Sequence, residues 1–206
     1  MNILPSQILF RWAQFMSCCI FKPLIIILPF LFLFGGDING QSVYTNVSPD
    51  DYYEFFNSFI EPDSVRQFNL ESKPDFSYIL KDTSAIFSDT TLFSSSDIQF
   101  IKYQIKAGQK FKWQSNKIFG SKVISSKKIA RLFKNGVDEG WVEFNKRYGS
   151  GFSTYSVPLF TVDKNTCIVY KAGHCGGLCG HGGTSVYKKI NGKWTFVQSI
   201  GMIWIS

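Results

Sequence analysis

The chain has 206 residues, 45% hydrophobic and 17% aromatic, and a formal net charge of +7. With only 18% charged residues, this excludes an intrinsically disordered chain, which would be poorer in aromatics and richer in net charge. Five cysteines and two histidines confine metal, thiol or imidazole chemistry to few places.

Residues 1–40 read as a secretory leader. Lys22 precedes an unbroken apolar run, Leu24 to Phe34, and Gly35, Gly36 and Asp37 follow it. As helix the run reaches about 16 Å at 1.5 Å per residue, roughly half of a hydrocarbon core. That length suits the hydrophobic segment of a leader and is short for a membrane span. Gly40 before Gln41 puts a small residue at the cleavage position, and Met16 is an alternative start. The competing reading is an uncleaved membrane anchor. Cys18 and Cys19 precede the apolar run, so neither can be the lipid-bearing cysteine of a lipoprotein.

The expected mature chain, 41–206, is long enough for one α+β domain. Without Arg11, Lys22 and Asp37 it keeps twenty basic and fourteen acidic side chains, a net of +6. Export (periplasmic, cell-surface or secreted) places its cysteines where disulfides form. Of Cys167, Cys175 and Cys179, one must stay unpaired in a monomer.

Ser48-Pro49-Asp50-Asp51 is a helix start: a serine cap, a proline at the first position and acids for the dipole. A short aromatic helix, Asp50 to Phe59, is predicted to follow. Residues 61–94 hold Pro62, Pro74 and many Ser, Thr and Asp, and read as turns and short extended pieces. Ser96-Asp97 caps a second predicted helix to about Ala107, with Ile98, Ile101 and Ile105 on its buried face. A third runs from Ser126 to Phe133 and a fourth from Asp138 to about Tyr148, broken by Asn135-Gly136.

From Phe152 the pattern turns to β. Predicted strands are Tyr155 to Phe160, with Pro158 marking an edge or bulge, then Thr166 to Lys171, Thr184 to Ile190, Lys193 to Ile200 and, after Gly201, Met202 to Ile205. Asn191-Gly192 between two such runs is a hairpin signal, because both central residues of that turn need φ > 0. The expected fold is α+β: N-terminal helices packed on a C-terminal antiparallel β-meander.

Gly173 to Gly183 reads Gly-His-Cys-Gly-Gly-Leu-Cys-Gly-His-Gly-Gly and holds both histidines. Its six glycines predict a flexible loop with φ > 0 turns. Three residues separate Cys175 from Cys179, two of them glycine, so the chain can fold back to disulfide range. So small a ring adds about 2 kcal/mol by loop entropy. The alternative is a zinc or copper site on His174, Cys175, Cys179 and His181, although all four lie within eight residues and structural zinc sites draw ligands from two segments. A reactive thiol at Cys175, beside His174, is a further alternative. Cys167 reads as a small buried apolar residue, with a bond to one of the loop cysteines across the hairpin as the alternative.

Between Ile98 and Val137 stand ten basic residues and no acid. Lys102, Lys106, Lys110, Lys112, Lys127, Lys128 and Arg131 are the candidate polyanion-binding set, interleaved with aromatic residues. Export disfavours nucleic acid and leaves an envelope glycan, an anionic lipid head group or another envelope protein as partners. The plainer reading is internal balance, since residues 41–97 carry ten acids against three bases. No glycine-rich phosphate loop, nucleophile elbow or remote histidine base is present in the sequence, and the acid pairs Asp50/Asp51 and Asp138/Glu139 suit helix starts.

Tyr155-Ser156-Val157-Pro158-Leu159-Phe160, the stretch Cys175 to Gly182, Asn191-Gly192-Lys193-Trp194 and the ending Trp204-Ile205-Ser206 resemble a group of exported bacterial proteins without an assigned activity. The resemblance implies export and the meander, and no catalytic residue. The expected function is a non-catalytic binding or structural module of the cell envelope, with no cofactor. The alternative is a small metal- or thiol-dependent enzyme centred on the His/Cys loop.

Overall fold

Ser48 opens the fold in the computed structural model, which describes residues 47–60 and 66–206, all within the unit Ser42–Ser206. The leader expected over 1–40 lies outside the described residues. The Ser48 hydroxyl accepts from the Asp51 N–H at 3.4 Å, and the Asp51 carboxylate accepts from the Ser48 N–H at 2.6 Å. This reciprocal cap starts α1 (Pro49–Asn57). Where turns and short extended pieces were expected, one such piece forms, β1 (Phe68–Glu71), but two short helices form as well, α2 (Ser77–Lys81) and α3 (Thr83–Phe87).

Helix α4 (Ser95–Gly108) begins slightly earlier than the sequence suggests, because Ser94 rather than Ser96 is the cap and pairs with Asp97. Ile101 and Ile105 are buried as their spacing predicts. Gln104 is buried with them and satisfied: its Nε2 donates to the Phe160 carbonyl at 2.7 Å, and its Oε1 accepts from the Phe160 N–H at 2.9 Å. Then come β2 (Ser121–Ile124), α5 (Ser126–Leu132) with a 3-10 turn at Phe133–Asn135, and α6 (Val137–Tyr148).

The C-terminal part holds β3 (Phe152–Tyr155), β4 (Leu159–Phe160), β5 (Thr166–Gly176), β6 (Cys179–Ile190) and β7 (Lys193–Ile205). The strand expected from Tyr155 to Phe160 is thus split, at Ser156-Val157-Pro158. There the Ser156 hydroxyl accepts from the Tyr170 N–H at 2.9 Å, and Pro158 has no N–H to offer a ladder. Asn191 and Gly192 take φ of 51° and 78°, the turn that this dipeptide predicts. Gly201 (φ 67°) does not end β7; the chain kinks, the Asp82 carboxylate accepts from the Met202 N–H at 2.6 Å, and pairing resumes.

The seven strands form one mixed sheet ordered β2-β1-β3-β5-β6-β7, with β4 also paired to β5. The α+β class holds, but the purely antiparallel meander does not: β1 pairs in parallel with both β2 and β3. Helices separate those strands in sequence, which supplies the crossovers that parallel pairing requires. Phe55 is fully buried at the centre of the main core, edge-on to Phe56, Phe59, Phe160, Tyr187 and Trp194. A smaller core of Ile124, Ile129 and Phe144 lies under α5 and α6. Among the described residues no helix is long and apolar enough to cross a membrane.

Candidate functional site

The glycine-rich segment is strand, not loop. β5 and β6 pair from Thr166↔Lys188 to His174↔Gly180 and close at Gly176↔Cys179, with Cys175 bulged out between. None of the six glycines adopts positive φ. Their lack of a side chain serves close approach instead. A Cβ on Gly182 would stand 2.6 Å from the Trp204 Nε1 and 2.9 Å from the Ala172 Cβ; one on Gly180 would stand 3.0 Å from the Trp204 ring. The indole of Trp204 therefore lies across β6, over two glycines, and donates to the Tyr170 hydroxyl at 3.0 Å. Burial pushes the Tyr170 hydroxyl up to about 12, which keeps it protonated. Tyr78 stacks on Tyr170 and Trp204, with centroids at 4.9 and 6.1 Å.

Cys175 and Cys179 form a disulfide, with Cα atoms 5.1 Å apart, and clip the hairpin at its tip. Cys167 is the cysteine left free; it is buried in β5, and burial pushes its thiol well up, against the opposing pull of Lys171. A thiol so placed resists ionisation.

The two histidines do not share a role. His174 pairs with Gly180 and His181 with Gly173, so the pleat sends their side chains to opposite faces. The His174 ring stacks on Phe152 at 4.9 Å and lies 5.7 Å from Trp204, with Nε2 3.2 Å from the Thr154 hydroxyl. Burial lowers its pKa, Asp75 pulls the other way, and His181 adds to the lowering. His181 instead lies over Gly173, where a Cβ would meet its ring at 3.0 Å. His174, Cys175, Cys179 and His181 thus do not converge as four ligands: two sulfurs bond each other and two imidazoles diverge. Among the described residues no three His, Cys, Asp or Glu side chains gather as a metal site.

Beside the clip lies a cavity of about 450 Å³, bordered by Asn69, Tyr148, Ser150, Ser153 and His181. It opens where β3 and β1 share the single pair Leu70↔Ser153. The Asn69 amide donates to the Tyr148 and Gly151 carbonyls, both at 2.9 Å, and so fixes the turn after α6. That turn needs glycine at both ends: Gly149 and Gly151 have φ of 83° and 81°, and a Cβ on Gly151 would strike the His174 carbonyl. No lysine, arginine or carboxylate lines the cavity. The glycine-rich sequence pointed to this end of the molecule, but Asn69, Tyr148 and Ser153 carried no signal of their own.

The basic residues are divided by the fold. Lys102 and Lys106 are exposed on α4, where the Lys102 ammonium lies 5.9 Å from the Phe87 ring centre; Lys110 follows the helix and Arg131 is exposed on α5. Lys112, Lys127 and Lys128 instead border a groove of about 510 Å³, joined by Lys73 and by Ser72, Ser115, Ser125 and Ser126. Lys73 lies outside the basic run and was missed. Among the described residues no acid of 41–97 forms an ion pair with that run: the pairs are Glu143–Arg147, Asp51–Lys164 and Glu54–Lys189.

Comparison with protein-family models, curated proteins and solved structures finds no match to this chain.

Proposed function

We propose that the protein is an exported, non-catalytic binding module of the cell envelope, and that the cavity beside the clipped hairpin is its contact region, for an envelope glycan. One observation carries the reading. The cavity is walled by uncharged polar and aromatic groups, on a frame closed by the Cys175–Cys179 bond. Hydroxyl, amide and imidazole groups beside aromatic rings suit a neutral, hydroxyl-rich ligand, and a rigid frame lowers the cost of ordering on binding. The disulfide is compatible with an oxidising compartment. The residues of greatest chemical potential are engaged otherwise: the loop sulfurs bond each other and His174 is wedged between aromatic rings.

The test is co-sedimentation of purified protein with isolated cell-wall glycan. Wild-type protein should sediment, and Ser150→Trp, which places an indole at the cavity rim from an exposed turn, should weaken retention at least tenfold. Failure of the wild type to sediment, or full retention of the variant, would remove the cavity from consideration. Titration of thiols and metal on the same sample separates this reading from a thiol or metal enzyme: a reactive thiol or stoichiometric metal at the hairpin would favour the enzyme.

A further inference from the structure

We propose that the groove at the carboxyl ends of β1 and β2 is a second binding site, for a phosphate group carried by an anionic lipid or a soluble polyanion. The inference does not depend on the glycan cavity and concerns different residues.

The placement comes first. β1 and β2 are parallel neighbours in the register Phe68↔Ser121 to Glu71↔Ile124, so both chains leave the sheet at the same end. Ser72 and Lys73 follow β1, while Ser125 to Lys128 follow β2. Backbone bonds stitch the two exits together: the Ser72 N–H donates to the Ile124 carbonyl at 2.8 Å, and the Trp113 N–H to the Ser72 carbonyl at 2.9 Å. The Ser126 N–H donates to the Ser72 hydroxyl at 3.1 Å. The crevice beyond the carboxyl ends of parallel strands is where open α/β sheets hold ligands.

Charge comes second. Lys73, Lys112, Lys127 and Lys128 border the groove, no acid is among its lining residues, and none of the four forms an ion pair among the described residues. The neighbouring carboxyl is Glu71, whose pKa burial pushes up, against the pull of the Ser126 hydroxyl and Lys73 and with a further push from Asp75. Four ammonium groups around one crevice repel one another, and a multiply charged anion relieves that repulsion.

Donor chemistry comes third. The Ser115 hydroxyl already accepts from the Val123 N–H at 2.9 Å, which leaves its proton to donate. Trp113 borders the groove as well, while its indole ring packs on Tyr53, Phe56 and Phe111 in the main core. A hydroxyl donor beside lysine point charges, with no arginine fork, suits a tetrahedral oxyanion better than a planar carboxylate.

The experiment is sedimentation of purified protein with phosphatidylcholine vesicles, with and without phosphatidylglycerol, alongside binding to soluble inorganic polyphosphate. Binding to phosphatidylglycerol vesicles assigns the lipid source, and binding to polyphosphate alone assigns a soluble one; either supports the site. Each of Lys112→Gln, Lys127→Gln and Lys128→Gln should weaken vesicle binding about fivefold. The Lys102→Gln/Lys106→Gln pair on α4 should leave it within about twofold, and Ser150→Trp should leave it unchanged, which keeps this test separate from the glycan cavity. Absence of binding in both arms would overturn the proposal. Equal losses from the α4 pair would overturn it too, because they would show diffuse charge rather than a built groove. These substitutions are at exposed positions, so loss of folding does not confuse the result.

Discussion

The clipped hairpin and the lysine groove stand at different strands of one sheet and are held by opposite means. At the hairpin nearly every group has found another: sulfur bonds sulfur, Trp204 lies in the trough left by Gly180 and Gly182, and His174 packs between Phe152 and Trp204. In the groove the backbone is stitched just as firmly, but none of its four lysines forms an ion pair among the described residues. Chemically conspicuous residues can therefore be structural. Residues that the fold leaves unsatisfied are the better guide to what the protein contacts.

The comparison breaks most readily at Gly182. Gly182→Val would force a branched side chain into Trp204 and against Ala172, and should cost about 2 to 3 kcal/mol by overpacking. Lys128→Gln, in the groove, should stay within about 0.5 kcal/mol. Urea midpoints measure both. Equal stabilities would mean that the indole does not occupy the glycine trough.

Next is the disulfide. Cys175→Ala/Cys179→Ala should lose about 2 kcal/mol, the loop-entropy value for so short a ring. Reductant should impose the same loss on wild-type protein and none on the double variant. A reductant effect that persists in the variant would mean that the sulfurs lie elsewhere.

Much of this was written locally in the chain. Ser48 with Asp51 marked the first helix, Ile101 and Ile105 marked the buried face of α4, and Asn191-Gly192 marked its turn, because each depends on residues a few positions apart. The glycine segment misled because glycine weakens isolated strands. What makes it strand is Trp204, about twenty residues downstream, lying over the bare backbone. β1 and β2 were illegible for another reason: each has four residues, too few for a periodic signal, and each is paired with a segment far along the chain. Lys73 went with them, since only the β1–β2 pairing brings it beside Lys112 and Lys128.

Trp204→Phe sharpens the hairpin side further. The phenyl ring keeps stacking partners but loses the 3.0 Å bond to the Tyr170 hydroxyl, a loss of about 1 kcal/mol for one neutral hydrogen bond. A value near zero would place the weight of that contact on ring packing.

The mildest effect is one of pH, and it tests whether His174 belongs to the structural set. Burial holds its folded-state pKa below the usual imidazole value of about 6.5. Protons therefore bind the unfolded chain more readily, and stability falls as pH drops through about 6.5, levelling once the folded imidazole is also protonated. Asp75 opposes this shift and His181 reinforces it, whereas the first cause is desolvation between the rings. His174→Phe keeps an aromatic ring between Phe152 and Trp204 and cannot titrate. The difference in urea midpoint between wild type and this variant, followed from about pH 8 to about pH 5, should move against the wild type on acidification. Parallel curves would mean that the imidazole titrates as it does in water, and His174 would return to the list of groups free to meet a ligand.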